Sequence, residues 1–558
     1  MKKRYIELME KALSAYSDEH IRRYWQDVRT QGLTEHGFPR LTANIGILIA
    51  HGRRTDLLPL FLDMMDFCCQ SIPNVKAAND FSVREIVCCL LEIEQTGIVA
   101  KEQTERWRRL LMGIEHGKCY NVYAKSPLDK VRNWALFTAV SEFFRQKAGL
   151  CDETDFIDLQ LLQQMQWPDE NGMYRDNEKH ENHQPIMYDL VPRGLFSLLL
   201  DQGYRGAHYE AIDSMLKKAG LLTLQMQSPN GEMAFGGRSN QFLHNEAWLC
   251  GIFEYEAKRY AKAGDNKLAD TFKSAAVRAL AVLEEWLSKA PIRHIKNRYN
   301  SDSKYGCEGY AYFDKYMITV ASFLYVAYLI CDDTLSYTPI EDLTPTVAAT
   351  SAHFHKLFVK SNGYGLEFDL GADTHYDANG LGRIHRSGAP STIALSCPCP
   401  AEPNYTVDID PMAFSACSAI KTNAGWCFGA EPETRYEVVK TSVEAASASA
   451  TLLCRFASGA SLTEHYTACA NGIGITIEGE GEIGFTLPAL CFDGENAPRI
   501  EADMHCLCVH YEGWVCRYTT NGKVLNTGKI AANRNGHYRV YLASGYGKVD
   551  VQIEIFKA

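Results

Sequence analysis

The chain has no long run of lysine or arginine, and its formal net charge is −11 over 558 residues. Phosphate backbones demand a basic footprint, so nucleic acid is excluded as the main partner, and an anionic ligand requires local positive charge. Paired CxxC spacing of the zinc-ribbon kind is missing among the nineteen cysteines, which read as reduced, mostly buried thiols. Cys397-Pro398-Cys399 and Cys506-Leu507-Cys508 each put two sulfurs on one face of a strand, a spacing that could hold a metal. Asp408 and Asp410 lack a glycine-bearing calcium loop, so no metal and no other cofactor is expected. The start, Met1 to Glu10, is basic but without the apolar run and small-residue cleavage site of a secretory signal. The longest apolar stretch, Met317 to Cys331, falls short of the roughly 18 to 20 residues that span a bilayer. A cytoplasmic protein with no membrane partner is predicted, and homo-oligomerisation is left open.

What is present is an ordinary globular composition, 46% hydrophobic and 22% charged, in a chain long enough for two domains. Residues 1 to about 335 read as successive helices separated by Gly, Pro or Asn/Asp signals, among them Leu41 to His51, Ser82 to Gly97, Tyr188 to Gly203, Asn240 to Gly264 and Tyr312 to Cys331. Short connections make neighbours antiparallel, and a series of such hairpins suggests a helical ring or solenoid. After Thr344-Pro345 the pattern changes to alternating, β-branched segments with glycine turns, ending in Val549 to Ile555. The fold class is therefore α+β multidomain, with helical hairpins over 1–340 and an antiparallel β-sandwich over 341–558.

Three polar clusters lie in the helical half. Gly236-Gly237-Arg238-Ser239-Asn240-Gln241-Phe242-Leu243-His244-Asn245-Glu246-Ala247-Trp248 joins a glycine turn to a helix. Helical spacing there places Asn240, His244 and Trp248 on one stripe, a set of groups suited to a sugar, and Arg238 adds a guanidinium fork that fits a carboxylate. The segment from Trp167 to Asp176 leads to Asn182, His183, Tyr188 and Asp189, where a polar loop enters an apolar helix. Between Tyr305 and Tyr316 lie Glu308, Tyr310, Tyr312 and Asp314, with a phenol as candidate proton donor or acceptor. In the β half, Gly382-Arg383-Ile384-His385-Arg386 reads as a loop of local positive potential that suits a uronate.

Helical hairpins followed by a sandwich, with Asn-His and tyrosine-rich segments and a later His/Arg segment, resemble heparinase II/III-like polysaccharide lyases and oligoalginate lyases. The resemblance implies an α/α toroid whose cleft supplies an asparagine, a histidine and a tyrosine, completed by a histidine of the β domain. Carried over, Asn182-His183 or Asn240 with His244 would be the amide and imidazole, Tyr310 or Tyr312 the tyrosine, with Tyr188 a further phenol, and His385 the β-domain histidine. Substrate would be held by Asn182, Arg238, Trp248, Asp314, Arg383 and Arg386. The family's His-x-His-x-Asp segment is absent, since the local sequence is His385-Arg386-Ser387-Gly388. The expected activity is exo-acting β-elimination on acidic oligosaccharides. The architecture is also similar to that of exo-acting glucuronidases, whose hydrolysis needs paired carboxyl groups, here Glu246 with Asp189, Glu308 or Asp314.

Overall fold

The computed structural model describes residues 1–176, 184–339 and 344–558. Six helices, Gly37–Ala50, Val83–Thr96, Asn133–Lys147, Ile186–Asp201, His244–Lys262 and Phe313–Ile330, each pack on the next, and the last packs back on the first. They close a ring. A second layer, Lys2–Leu13, Leu58–Ser71, Lys101–Met112, Thr154–Gln164, Tyr209–Met226 and Asn266–Ser288, lies against this inner one. The layers alternate along the chain, so the inner helices run parallel and all begin at the same mouth of the ring.

Sequence explains why two of the inner helices are buried. Gly37–Ala50 is buried over nearly its whole length, as a helix apolar on all sides must be. A Cβ at Gly46 would sit 2.3 Å from the Cys89 sulfur and 2.4 Å from the Phe61 ring, so glycine permits that approach. Phe313–Ile330 is long and apolar enough to cross a membrane by length and composition, yet most of it is buried against neighbouring helices. Gly203 and Gly264 cap their helices in the left-handed region, at φ 108° and 81°.

The β half holds a four-stranded sheet in sequential order, Thr346–Ala349, Lys356–Ser361, Tyr364–Asp369 and Gly380–Arg386, against an eleven-stranded antiparallel sheet. Leu357, Val359, Leu366, Phe368 and Ile384 join the sandwich core, where Phe368 meets Tyr466 edge-on at 4.8 Å. The opposite face carries Lys356, Lys360, Glu367, Arg383 and His385, all buried. Lys360 donates to the Gln227 carbonyl (3.1 Å) and Arg383 to the Met233 carbonyl (2.7 Å), so this face packs on the helical ring. Gly380–Arg386 is thus a strand where the sequence suggested a loop. All nineteen cysteines are unpaired and most are buried.

Candidate active site

At the mouth where the inner helices begin lies a cavity of about 670 Å³. Its wall takes Arg40 from one inner helix and His36 from just before it, Asn133, Trp134 and Phe137 from another, Met187, Tyr188 and Val191 from a third, His244 from a fourth, and Lys315, Tyr316, Thr319 and Phe323 from the last. Helix N-termini carry partial positive charge and unsatisfied N–H groups, so their convergence favours an anion. Side chains reinforce this. Arg40, Lys130, Arg132, Arg238 and Lys315 line the cavity, whereas Asp176 is its one carboxylate among the described residues.

Arg238 reaches this wall through an irregular turn. Gly236 and Gly237 have φ of 153° and 72°, and Ser239 and Gln241 are left-handed at 63° and 66°. Such conformations cost non-glycine residues energy and persist only when the surroundings enforce them. Asp377 accepts the Gly237 amide at 2.6 Å, and Glu308 accepts the Ser239 amide at 2.7 Å. So held, Arg238 donates from Nε to the Tyr188 hydroxyl (2.9 Å). Its guanidinium lies 4.5 Å from the Tyr188 ring centre and 5.6 Å from that of Tyr310. The Tyr310 hydroxyl is 2.6 Å from Ser239 Oγ.

His244 opens the helix His244–Lys262 and stacks on Phe242 at 5.4 Å. Tyr316 stands between the two proton-bearing groups, 5.8 Å from the His244 ring and 5.8 Å from the Tyr310 ring. Burial, together with His294 and Arg40, lowers the His244 imidazole to about 3, which keeps it neutral. Burial also raises the phenols of Tyr310 and Tyr188, so both carry their protons at neutral pH. The Asp176 carboxyl is pushed up to about 6 by burial, against the pull of Asn133, Arg238 and Arg132.

Of the expected site residues, Tyr188, Arg238, His244 and Tyr310 therefore meet in one cavity. Asn182 and His183 lie outside the described residues. His244 and Trp248 do share one face of their helix, both against Phe323, but Asn240 is not on that stripe. The helix begins only at His244, and Asn240, in the irregular turn, accepts from the Gln241 amide at 2.7 Å. Trp248 is fully buried one turn below the cavity, where a Cβ on Gly194 would fall 2.1 Å from its ring. Tyr312 is 53% exposed, with Lys304 5.3 Å from its ring centre, and does not line the cavity. Asp314 lies outside it too, 3.0 Å from His20.

The proposed carboxyl pair does not assemble. Asp189 accepts from Arg193 Nε (2.8 Å) and from the Tyr174 amide (2.7 Å), pointing away from its neighbour Tyr188. Glu246 is bound by Lys296 at 2.8 Å and Glu308 by Arg534 at 2.7 Å. None of the three lines the cavity. The β-domain groups are elsewhere as well. Arg383 pairs with Glu367 at 3.0 Å, and Arg386 donates to the Asn362 carbonyl and covers Tyr364 at 4.5 Å. His385 is 1% exposed in the domain interface, with neither ring nitrogen hydrogen-bonded.

Sequence reasoning passed over His36, Arg40 and Asn133, and gave no role to Asp176 and Lys315, which fell inside two of its polar clusters. Arg40 is the most telling. It is 3% exposed, donates to Thr319 at 2.9 Å, lies 3.2 Å from Glu85, and keeps a buried Nη2 without a hydrogen-bond partner. An arginine within the apolar run from Phe38 to Ala50, with His36 one turn before it, was the available signal.

No family model and no curated protein matches the sequence. Among solved structures the chain is similar to a heparan sulfate lyase HepC mutant from Pedobacter heparinus, at 9% identity and TM-score 0.44 over 94% of this chain and 76% of that one. It is also similar to the chondroitin lyase ODV-E66, a baculovirus envelope protein, at 9% and 0.45 over 92% and 76%. A glycosyl hydrolase family 88 protein from Bacteroides vulgatus aligns at 13% and 0.37 over 59% and 98%. These are distant likenesses of chain path and supply no residue correspondence.

Proposed function

We propose that the protein is a lyase that cleaves short uronic-acid-containing saccharides by β-elimination, working from a chain end. The observation that carries this is the placement of Arg238 between the phenols Tyr188 and Tyr310, in a cavity lined, among the described residues, by five cationic side chains and one carboxylate. A uronate carboxylate gripped by Arg238 loses its negative charge in effect, which acidifies the neighbouring C5 proton and stabilises the enolate that forms on its removal. His244, held neutral by burial, is in the form a base requires, and a bound carboxylate raises its proton affinity. Tyr310 then protonates the departing glycosidic oxygen. The cavity volume is that of a small-molecule site and suits a few sugar rings.

The test is incubation with heparan sulfate, chondroitin sulfate and alginate oligosaccharides, followed by near-ultraviolet absorbance and product sizing. Elimination creates a conjugated double bond that absorbs, and chain-end action releases small products from the outset. Arg238→Met and Tyr310→Phe should each lower kcat/KM by about 100-fold or more. New reducing ends without the chromophore would mean hydrolysis and overturn the proposal, as would full activity in both variants.

A further inference from the structure

No residue of the β-sandwich lines the cavity among the described residues, yet one of its hairpins reaches the turn that carries Arg238. Between the strands Lys523–Asn533 and Gly536–Lys557, the tip residues Asn533, Arg534 and Asn535 are at most 1% exposed. A polar hairpin tip normally faces water. This one is driven into the helical half. Arg534 donates to the Gly306 carbonyl (2.7 Å) and forks onto Glu308, at 2.7 Å from Nη2 and 3.0 Å from Nη1, while its guanidinium lies 4.0 Å from the Tyr405 ring centre. Asn535 donates to the Lys296 carbonyl, and the Lys296 amide donates to the Gln241 carbonyl at 3.0 Å. Both left-handed residues of the turn are thus tied, one step removed, to the same hairpin.

We propose that Arg534 is a positioning residue. It fixes Glu308, whose carboxylate holds the Ser239 amide in its left-handed conformation, and Ser239 in turn places the Tyr310 phenol against Arg238. The inference rests on the reading of the cavity as the catalytic site. A two-pronged guanidinium–carboxylate contact sets an orientation that a lone charge does not. It also compensates a buried carboxylate that would otherwise stand unpaired beside the phenol. Tyr310 is faced by Tyr188 and Tyr316 from two inner helices, by Arg238 and Ser239 from the turn, and by Glu308 from its own segment. Without Arg534, the charge of Glu308 would bind the phenolic proton more tightly.

The decisive comparison is of Arg534→Met with the double variant E308Q/R534M, on whichever of the three acidic saccharides the native protein cleaves. Arg534→Met should lose about 10- to 100-fold in kcat with KM changed little, the scale for displacing a reacting group by about an ångström. The double variant should recover most of the loss, because the amide oxygen of glutamine still accepts the Ser239 N–H and no unpaired charge remains. Crystal structures supply a readout independent of substrate, with the Ser239–Tyr310 contact broken in the single variant and restored in the double. If Arg534→Met does not fold, Arg534→Lys takes its place with a smaller loss in kcat and KM again changed little, because the ammonium keeps the charge and loses only the two-pronged geometry. A folded single variant with native kcat and an intact Ser239–Tyr310 contact would overturn the inference. A native protein that cleaves none of the saccharides would instead defeat the functional proposal, and the crystal structures would still decide the role of Arg534.

Discussion

Asp176 shows how one side chain ties the cavity to the medium. Its amide donates to Gln184 (2.9 Å), its carboxylate accepts from Asn133, and burial holds its carboxyl near 6. A carboxyl whose pKa is raised on folding makes the native state bind more protons than the unfolded chain between the two values. Its contribution is fully present below about 4, the ordinary aspartate range, and is lost as pH rises through 6. Asp176→Asn should therefore stabilise the protein at pH 7 relative to pH 4, when each is compared with the native protein by thermal unfolding. A constant difference between the two proteins across that range would refute the assignment. The neighbouring residues were legible to different degrees. Arg238 and His244 stood out because polar types were dense beside a glycine turn, and Tyr310 because tyrosines were dense before an apolar helix, whereas Arg40 and Asn133 sat in apolar helical stretches where composition favoured the core.

The turn from Gly236 to Leu243 is the element on which the cavity depends, and its shape is set by φ values rather than by side-chain pattern. Gly237→Ala should test this. Its φ of 72° disfavours a Cβ, and that Cβ would lie 2.8 Å from the Pro185 backbone, just before an inner helix begins. Gly264 supplies the control, with φ 81° and open space around it. Each substitution should cost about 1 to 2 kcal/mol for the left-handed backbone. Only Gly237→Ala should also abolish most activity, by moving Arg238. Equal activity in the two variants would show that the turn tolerates displacement. Helical spacing placed Asn240 with His244 and Trp248, and failed because Ser239 and Gln241 leave the helical region before the helix starts. A period of 3.6 applies only where the backbone is already helical.

At the scale of the molecule, the two halves are joined by buried charge. Lys296 bridges Glu232 and Glu246 at 2.8 Å each, and Arg383 lies 4.0 Å from Glu232 across the interface. Lys296→Met would strand two carboxylates away from water and should destabilise the protein by about 3 to 5 kcal/mol. The measurement is the denaturant midpoint, with an unchanged midpoint counting against the network. The amino-acid order by itself determined two halves of different period and the change between them near residue 340, because burial of apolar side chains imposes 3.6 on helices and 2 on strands wherever they pack. Only the tertiary structure decided that the inner helices start at a common mouth, and that Glu246, Glu308, Arg383 and His385 belong to the domain interface while Arg40 and Asp176 face the cavity. The physical reason is that a charged side chain looks the same in sequence whether it faces water, a ligand or an opposite charge. Its role is set by what the fold brings within a few ångströms of it.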